Sequence, residues 1–193
     1  WNQGETTESV SFSATEDVQY IVTVTDQQGC MGMDTVNITV AHVNQDAEIC
    51  MVTYDNETGN NKVVWNKIDG VGTDSYNVYT ETTPGNYAFM GIAAYADEAS
   101  VEDVYTNPEL TGASYKLTTL DTCGNESEKS DFHKTMLLQK NLDDFPSSVY
   151  INWNLYEGFD YNKTYIFRGT SLDNMQLYDS TIYTYYIDNE PLE

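Results

Sequence analysis

Positive charge is what this chain has least of: eight Lys and Arg residues stand against 31 Asp and Glu, for a formal charge of -23. Such a surface repels phosphate backbones and anionic headgroups, which excludes nucleic acid as a partner. No apolar run reaches the roughly 18 residues that a membrane-crossing helix needs, so no membrane insertion is expected. Sulfur is sparse too. Cys30, Cys50 and Cys123 are too few for a disulfide scaffold, and none sits in a Cys-x-x-Cys pair of the zinc or thioredoxin kind. The chain opens on Trp1 without a basic-then-apolar stretch, so any export signal is expected outside it.

Catalytic groups are equally thin. The two histidines, His42 and His133, both fall where strands leave a module and read as solvated linker or edge residues. There is no Gly-x-Ser-x-Gly elbow and no His-Glu-x-x-His helix, so serine hydrolase and metalloprotease chemistry have no foothold. Acid pairs such as Asp97-Glu98 and Asp143-Asp144 are ordinary in so acidic a chain, and a glycosidase needs two carboxylates at a set separation in a concave site. No catalytic residue is assigned, and the chain reads as a non-enzyme.

What is present is strand-forming sequence. Hydrophobic residues make up 40% of the chain, enough for a packed core, and they lean on 16 tyrosines with Val, Ile and Thr, which suit a pleated half-buried surface. Apolar and polar residues alternate around Phe12 and through Val18–Thr25 and Thr35–Val40, with a turn at Asp26-Gln-Gln-Gly-Cys30. Residues 95–104 carry some helix propensity, but Pro108 follows closely, so a single helical turn is the most expected there.

An internal repeat organises the rest. Lys62-Val-Val-Trp65 and Val149-Tyr-Ile-Asn-Trp153 both end a strand on Trp. Each is followed by a Tyr-led strand, Tyr76-Asn-Val-Tyr79 and Tyr165-Ile-Phe-Arg168, then by an Asp-closed strand ending at Asp103 or Asp188. Repeats of this kind indicate tandem sandwiches. Trp65 and Trp153, with Tyr76, Val78, Tyr115 and Leu117, are the expected core. The first copy continues through Lys116-Leu-Thr-Thr-Leu-Asp121 into Asp-Thr-Cys-Gly-Asn-Glu-Ser127 and a last strand near His133.

That order of motifs resembles fibronectin type III modules of secreted bacterial proteins. Trp1-Asn-Gln-Gly-Glu-Thr-Thr7, Tyr20-Ile-Val-Thr-Val-Thr-Asp26 and Gly29-Cys30 resemble the second half of a PKD-like or Ig-like module. The arrangement is similar to that found in gliding-motility-associated, type IX-secreted proteins. The resemblance implies an all-β chain of tandem sandwiches: the C-terminal half of a PKD/Ig-like module over 1–43, a complete fibronectin-like module over 46–137, and the N-terminal part of another over 138–193. It also implies that Cys50 and Cys123 lie at one pole and form a disulfide, and that the partner of Cys30 precedes Trp1. The broken modules are expected to find cover on the intact one or by strand pairing between chains.

The function so implied is a non-catalytic spacer or adhesion segment at a bacterial surface or in the extracellular space. Its partners would be neighbouring modules and surface glycans or proteins. The alternative is a carbohydrate-facing accessory module of a secreted polysaccharide-degrading protein, which an exposed row of aromatics such as Tyr183 and Tyr185 would favour. Calcium is the one cofactor the acidic turns would suit, with Asp55, Asp69 and Asp74 as candidate ligands. Solvated hairpin residues are the plainer reading of all three.

Overall fold

The structure, a computed structural model, describes residues 9, 11, 14, 16–40, 47–67, 72–141 and 148–191. Expectations for Trp1–Thr7, Phe12, His42, Asp69 and the Asp143-Asp144 pair lie outside those residues. The chain divides into two compact units, 1–42 and 43–193.

Among its described residues the first unit forms an antiparallel hairpin, β1 (Val18–Thr25) with β2 (Met31–Ile38). Asp26 makes its turn, accepting hydrogen bonds at Oδ1 from the backbone N–H groups of Gln28 (2.9 Å) and Cys30 (2.8 Å). Gly29 takes a φ of 86°, a conformation that costs glycine nothing. Tyr20 is buried, whereas Val24, Met31, Met33 and Val36 are exposed.

In the second unit, seven strands between Ile49 and Lys134 form two sheets. β3 (Ile49–Tyr54), β4 (Asn61–Trp65) and β7 (Ser100–Asp103) make one, in the order β3-β4-β7. β5 (Thr73–Thr83), β6 (Asn86–Ala94), β8 (Ser114–Asp121) and β9 (His133–Lys134) make the other, in the order β6-β5-β8-β9. The expected core residues sit between them: Trp65, Tyr76, Val78, Tyr115 and Leu117 are all at most 2% exposed. Period-two alternation puts them there, since Val78 pairs directly with Leu117 across β5 and β8. The 95–104 segment forms no helix. It turns at Tyr95–Asp97 and enters β7, where pairing with β4 outweighs its weak helical preference.

Among the described residues the second copy repeats the first five strands of the first, without counterparts of β8 and β9. β10 (Leu138–Asn141), β11 (Val149–Trp153) and β14 (Tyr185–Asp188) form a sheet in the order β10-β11-β14. β12 (Thr164–Arg168) pairs with β13 (Gln176–Thr181), after a short 3-10 turn at Leu172–Asn174. Registers correspond: Asn61↔Asp103 and Val63↔Val101 in the first copy match Val149↔Asp188 and Ile151↔Tyr186 in the second. One residue differs on the first strand. A β-bulge between Ile49 and Met51 leaves Cys50 unpaired, whereas β10 runs through the same positions without a bulge.

Candidate functional site

Polar and aromatic groups gather where the two repeats meet. After Trp153 the chain does not run straight to β12. Residues 154–161 fold back onto β9 and β3 of the first repeat. Lys134 and Glu157 exchange backbone hydrogen bonds, Lys134 N–H to Glu157 C=O at 2.7 Å and the reverse at 3.3 Å, and their side chains pair at 3.3 Å. Asn154 clamps the connection between the repeats: its Nδ2 donates to Thr135 C=O (3.0 Å), and its Oδ1 accepts from Leu137 N–H (2.6 Å).

His133 is the centre of this junction. It is 7% exposed, so the sequence expectation of a solvated edge histidine is corrected: the returning loop covers it. Its Nδ1 lies 2.7 Å from the Tyr156 hydroxyl, which itself accepts a hydrogen bond from Val52 N–H at 2.9 Å. The phenol can meet Nδ1 as donor or acceptor, according to the tautomer of the ring. Burial pushes the His133 pKa down, and the nearby Glu48 and Asp131 oppose this only in part, so the ring stays below its ordinary value. Tyr156 moves up, chiefly through burial, with the Val52 hydrogen bond opposing. Phe159 closes the cluster, 4.5 Å from Tyr156 and 6.1 Å from His133 between ring centroids.

Gly158 makes the close approach feasible. Its φ is 139°, and a Cβ placed there would lie 2.4 Å from the His133 ring. No other residue type fits without displacing the loop. The Leu155-Tyr-Glu-Gly-Phe159 run after Trp153 was the available signal, but nothing in one sequence says what a loop will fold against.

The Asp121–Ser127 motif is architectural. Asp121 Oδ1 accepts from Cys123 N–H (2.9 Å) and Asn125 N–H (2.8 Å), and Gly124 takes a φ of 86°. Glu126 Oε1 gathers Tyr79 Oη (2.5 Å), Thr118 Oγ1 (2.5 Å) and Asn77 Nδ2 (3.1 Å). Burial raises the Glu126 carboxyl, but these donors outweigh it and hold the group below its usual range. Ser127 Oγ then accepts from Thr119 N–H at 2.9 Å. Asp121, Asn125, Glu126 and Ser127 thus spend their side chains on neighbours within the module.

The expected disulfide is absent. Cys30, Cys50 and Cys123 all carry free, exposed thiols. The bulge presents Cys50 on the surface, and the Asp121-capped turn does the same for Cys123. Of the candidate calcium ligands, Asp55 spends Oδ1 on the N–H groups of Glu57 (2.8 Å) and Thr58 (3.4 Å) within its own turn. Asp74 lies exposed on β5, and Asp69 lies outside the described residues. Among the described residues no three His, Cys, Asp or Glu side chains converge to hold a metal.

Beside the junction runs a groove of about 740 Å³, lined among others by Tyr87, Lys116, Lys129, Lys134, Glu81 and Glu157. Lys116 and Lys129 lie over the rings of Tyr87 and Tyr79, and Lys134 is held by Glu157, so its cations are already engaged. Its lining contains no histidine or cysteine.

No family model and no curated protein matches the chain. Among solved structures it is similar to a Fn3-like protein from Clostridium thermocellum, with 22% identity, a TM-score of 0.34, and coverage of 42% of this chain and 80% of that one. It is also similar to the tetra-tandem repeat in the extending region of a large adhesion protein (13% identity, TM-score 0.36, 91% of this chain). The chain spans about half of that structure, 48%. A third similarity is to the FN1–FN3 domains of chicken CNTN1 (11% identity, TM-score 0.36, 90% of this chain and 67% of that one). The fold class is all-β, with two antiparallel sheets packed as a sandwich in the first repeat and a related pair of sheets in the second.

Proposed function

We propose that this chain is a non-catalytic, extracellular spacer and adhesion segment of a bacterial surface or secreted protein, whose repeats are held at a fixed junction. Within it, residues 1–43 are the C-terminal half of a PKD/Ig-like module, 46–137 a complete fibronectin-like module, and 138–193 the N-terminal part of another. The observation that carries the reading is the hydrogen-bonded docking of residues 154–159 on β9 and β3. Two sandwiches on a free linker would transmit neither direction nor distance. A buried His–Tyr contact, a backbone bridge and an Asn clamp supply both. The strongly acidic surface favours solubility and keeps like modules apart.

The test is NMR relaxation of the whole chain. Amides of β3–β9 and of β10–β14 are expected to report one common tumbling time. In Gly158→Val the Cβ branches collide with His133, and the two repeats should tumble separately while each keeps its own strand signals. Independent tumbling in the natural sequence would overturn the reading.

A further inference from the structure

The outer face of the sheet β10-β11-β14 carries phenol rings where its counterpart in the first repeat carries charged and polar side chains. The matched registers make the comparison residue by residue. Lys62 of β4 corresponds to Tyr150 of β11, Ser100 to Tyr185, Glu102 to Ile187, and Glu98, two residues before β7, to Tyr183. In the first repeat Lys62 and Glu98 form an ion pair at 3.4 Å, and Asn60 Nδ2 donates to Glu102 at 3.3 Å. In the second, Tyr150 stacks with Tyr185 at 6.0 Å between centroids and 19° between planes. Tyr185 in turn stacks with Tyr183 at 5.6 Å and 27°.

The rings are open to solvent: Tyr183 is 59% exposed, Tyr185 43% and Ile187 46%. Beside them Asn152 Nδ2 donates to Gln139 Oε1 at 3.4 Å, which adds two amides to the face. A connected exposed aromatic surface is uncommon unless something covers it. The same backbone carries a polar face equally well one repeat earlier, so the fold itself does not call for the tyrosines.

We propose that this face is a binding platform for a neutral polysaccharide lying along Tyr150, Tyr185 and Tyr183. Phenol rings offer flat apolar area to the C–H faces of sugar rings, while their hydroxyls and the two amides meet sugar hydroxyls. Charge selects the ligand class. A chain of net charge -23 repels polyanions, and the face has no charged side chain among these residues to attract a cation specifically. The proposal gives the adhesive part of the function above a ligand class, and it rests on that reading for contact with glycans but not on the junction.

Affinity electrophoresis of the whole chain in native gels tests it, with mixed-linkage β-glucan, soluble starch or polygalacturonate cast in the gel. Retardation is expected with a neutral polymer and not with polygalacturonate. Installing the first repeat's residues, as Tyr150→Lys/Tyr183→Glu/Tyr185→Ser, should weaken retardation roughly tenfold or more, the loss of about 1.4 kcal/mol of stacking. Tyr183→Ala alone, confined to an exposed ring, should weaken it in the same direction if the triple variant does not fold. Tyr105→Ala, a still more exposed phenol in the first repeat, should leave it unchanged. Absence of retardation in both neutral gels overturns the proposal, as does full retardation by the substituted chains or retardation confined to polygalacturonate. The junction is read separately by tumbling of Gly158→Val, so either idea can fail while the other stands.

Discussion

The two repeats of the second unit share strand order and register but close their cores differently. In the first, β8 lies beside β5 and brings Tyr115 into the interior. Its hydroxyl donates to Asp103 Oδ2 at 2.7 Å and accepts from Asn61 Nδ2 at 3.2 Å, so one phenol joins both sheets. Burial would push the Asp103 carboxyl up, but donors from Thr106, Tyr115 and the Tyr105 backbone overcome it and hold the pKa low. In the second repeat Asp188 occupies the matching register, and Arg168 answers it at 2.9 Å from across the sheets while lying over the Tyr178 ring. Among the described residues no strand pairs with the other edge of β12. Trp153 is nonetheless 6% exposed, while Tyr165 and Phe167 remain 52% and 58% exposed. A conserved ladder register therefore does not require a conserved way of closing the core. The interior carboxylate only needs a donor, and phenol or guanidinium will serve.

The sharpest way to break this comparison is to remove the two tryptophans. Trp65→Ala should cost about 3–5 kcal/mol, and Trp153→Ala roughly 2–3 kcal/mol because its surroundings are already partly open. Native-state hydrogen exchange of β4 and β11 amides would show it, and equal costs would mean that the second core is as closed as the first. Next comes Tyr115→Phe, which leaves Asp103 and Asn61 buried without their shared partner. A loss of about 1–3 kcal/mol, confined to the first repeat, is expected. Asp188→Asn should cost less, about 1 kcal/mol, because its ion pair is partly solvated.

Acidification should discriminate the junction from both cores. His133 is held neutral, with a folded pKa below the ordinary value near 6.5. The undocked form binds the proton more readily, so docking is fully stable above about pH 6.5 and weakens as pH falls below it. Exchange of the Val52 amide, corrected for its intrinsic rate, should rise between pH 7.5 and 5, and His133→Asn, which removes the titrating ring, should abolish that dependence. Asp103 acts lower on the scale: its stabilisation is present above the unfolded carboxylate value, about 3.9, and fades as pH drops through its depressed folded value. The smallest effect is chemical. Cys50 and Cys123 should both alkylate without reductant, with no change in thermal transition, and protection of the pair would restore the bond the structure lacks.

Legibility in the sequence followed how local the determinant was. Strands with alternating Tyr, Val and Trp were readable because a period of two needs only neighbours along the chain. β6 and β13 were not read. Asn86–Ala94 and Gln176–Thr181 mix Phe89, Ile92, Leu177 and Tyr178 on exposed positions, so their alternation does not separate inside from outside. The disulfide was expected from pole-level proximity, which says nothing of the one-residue bulge at Cys50. The junction escaped for a similar reason: His133, Tyr156 and Val52 are brought together by docking, not by any pattern in their own segments. Tyr183 and Tyr185 were visible as exposed candidates, but only the register match showed that they replace Glu98 and Ser100 of the first repeat.

The Asn154 clamp has a mechanical side. Residues 135–137 connect β9 to β10, and the carboxamide grips that short link at both Thr135 and Leu137 while Thr135 N–H is held by Ala113 C=O at 3.0 Å. The link therefore stores almost no slack. Pulling the repeats apart cannot be absorbed by paying out loose chain, and the first movement has to rupture the carboxamide grip or lift the 154–159 loop off β9 as a piece. A chain built this way responds to tension in a step and not as a spring.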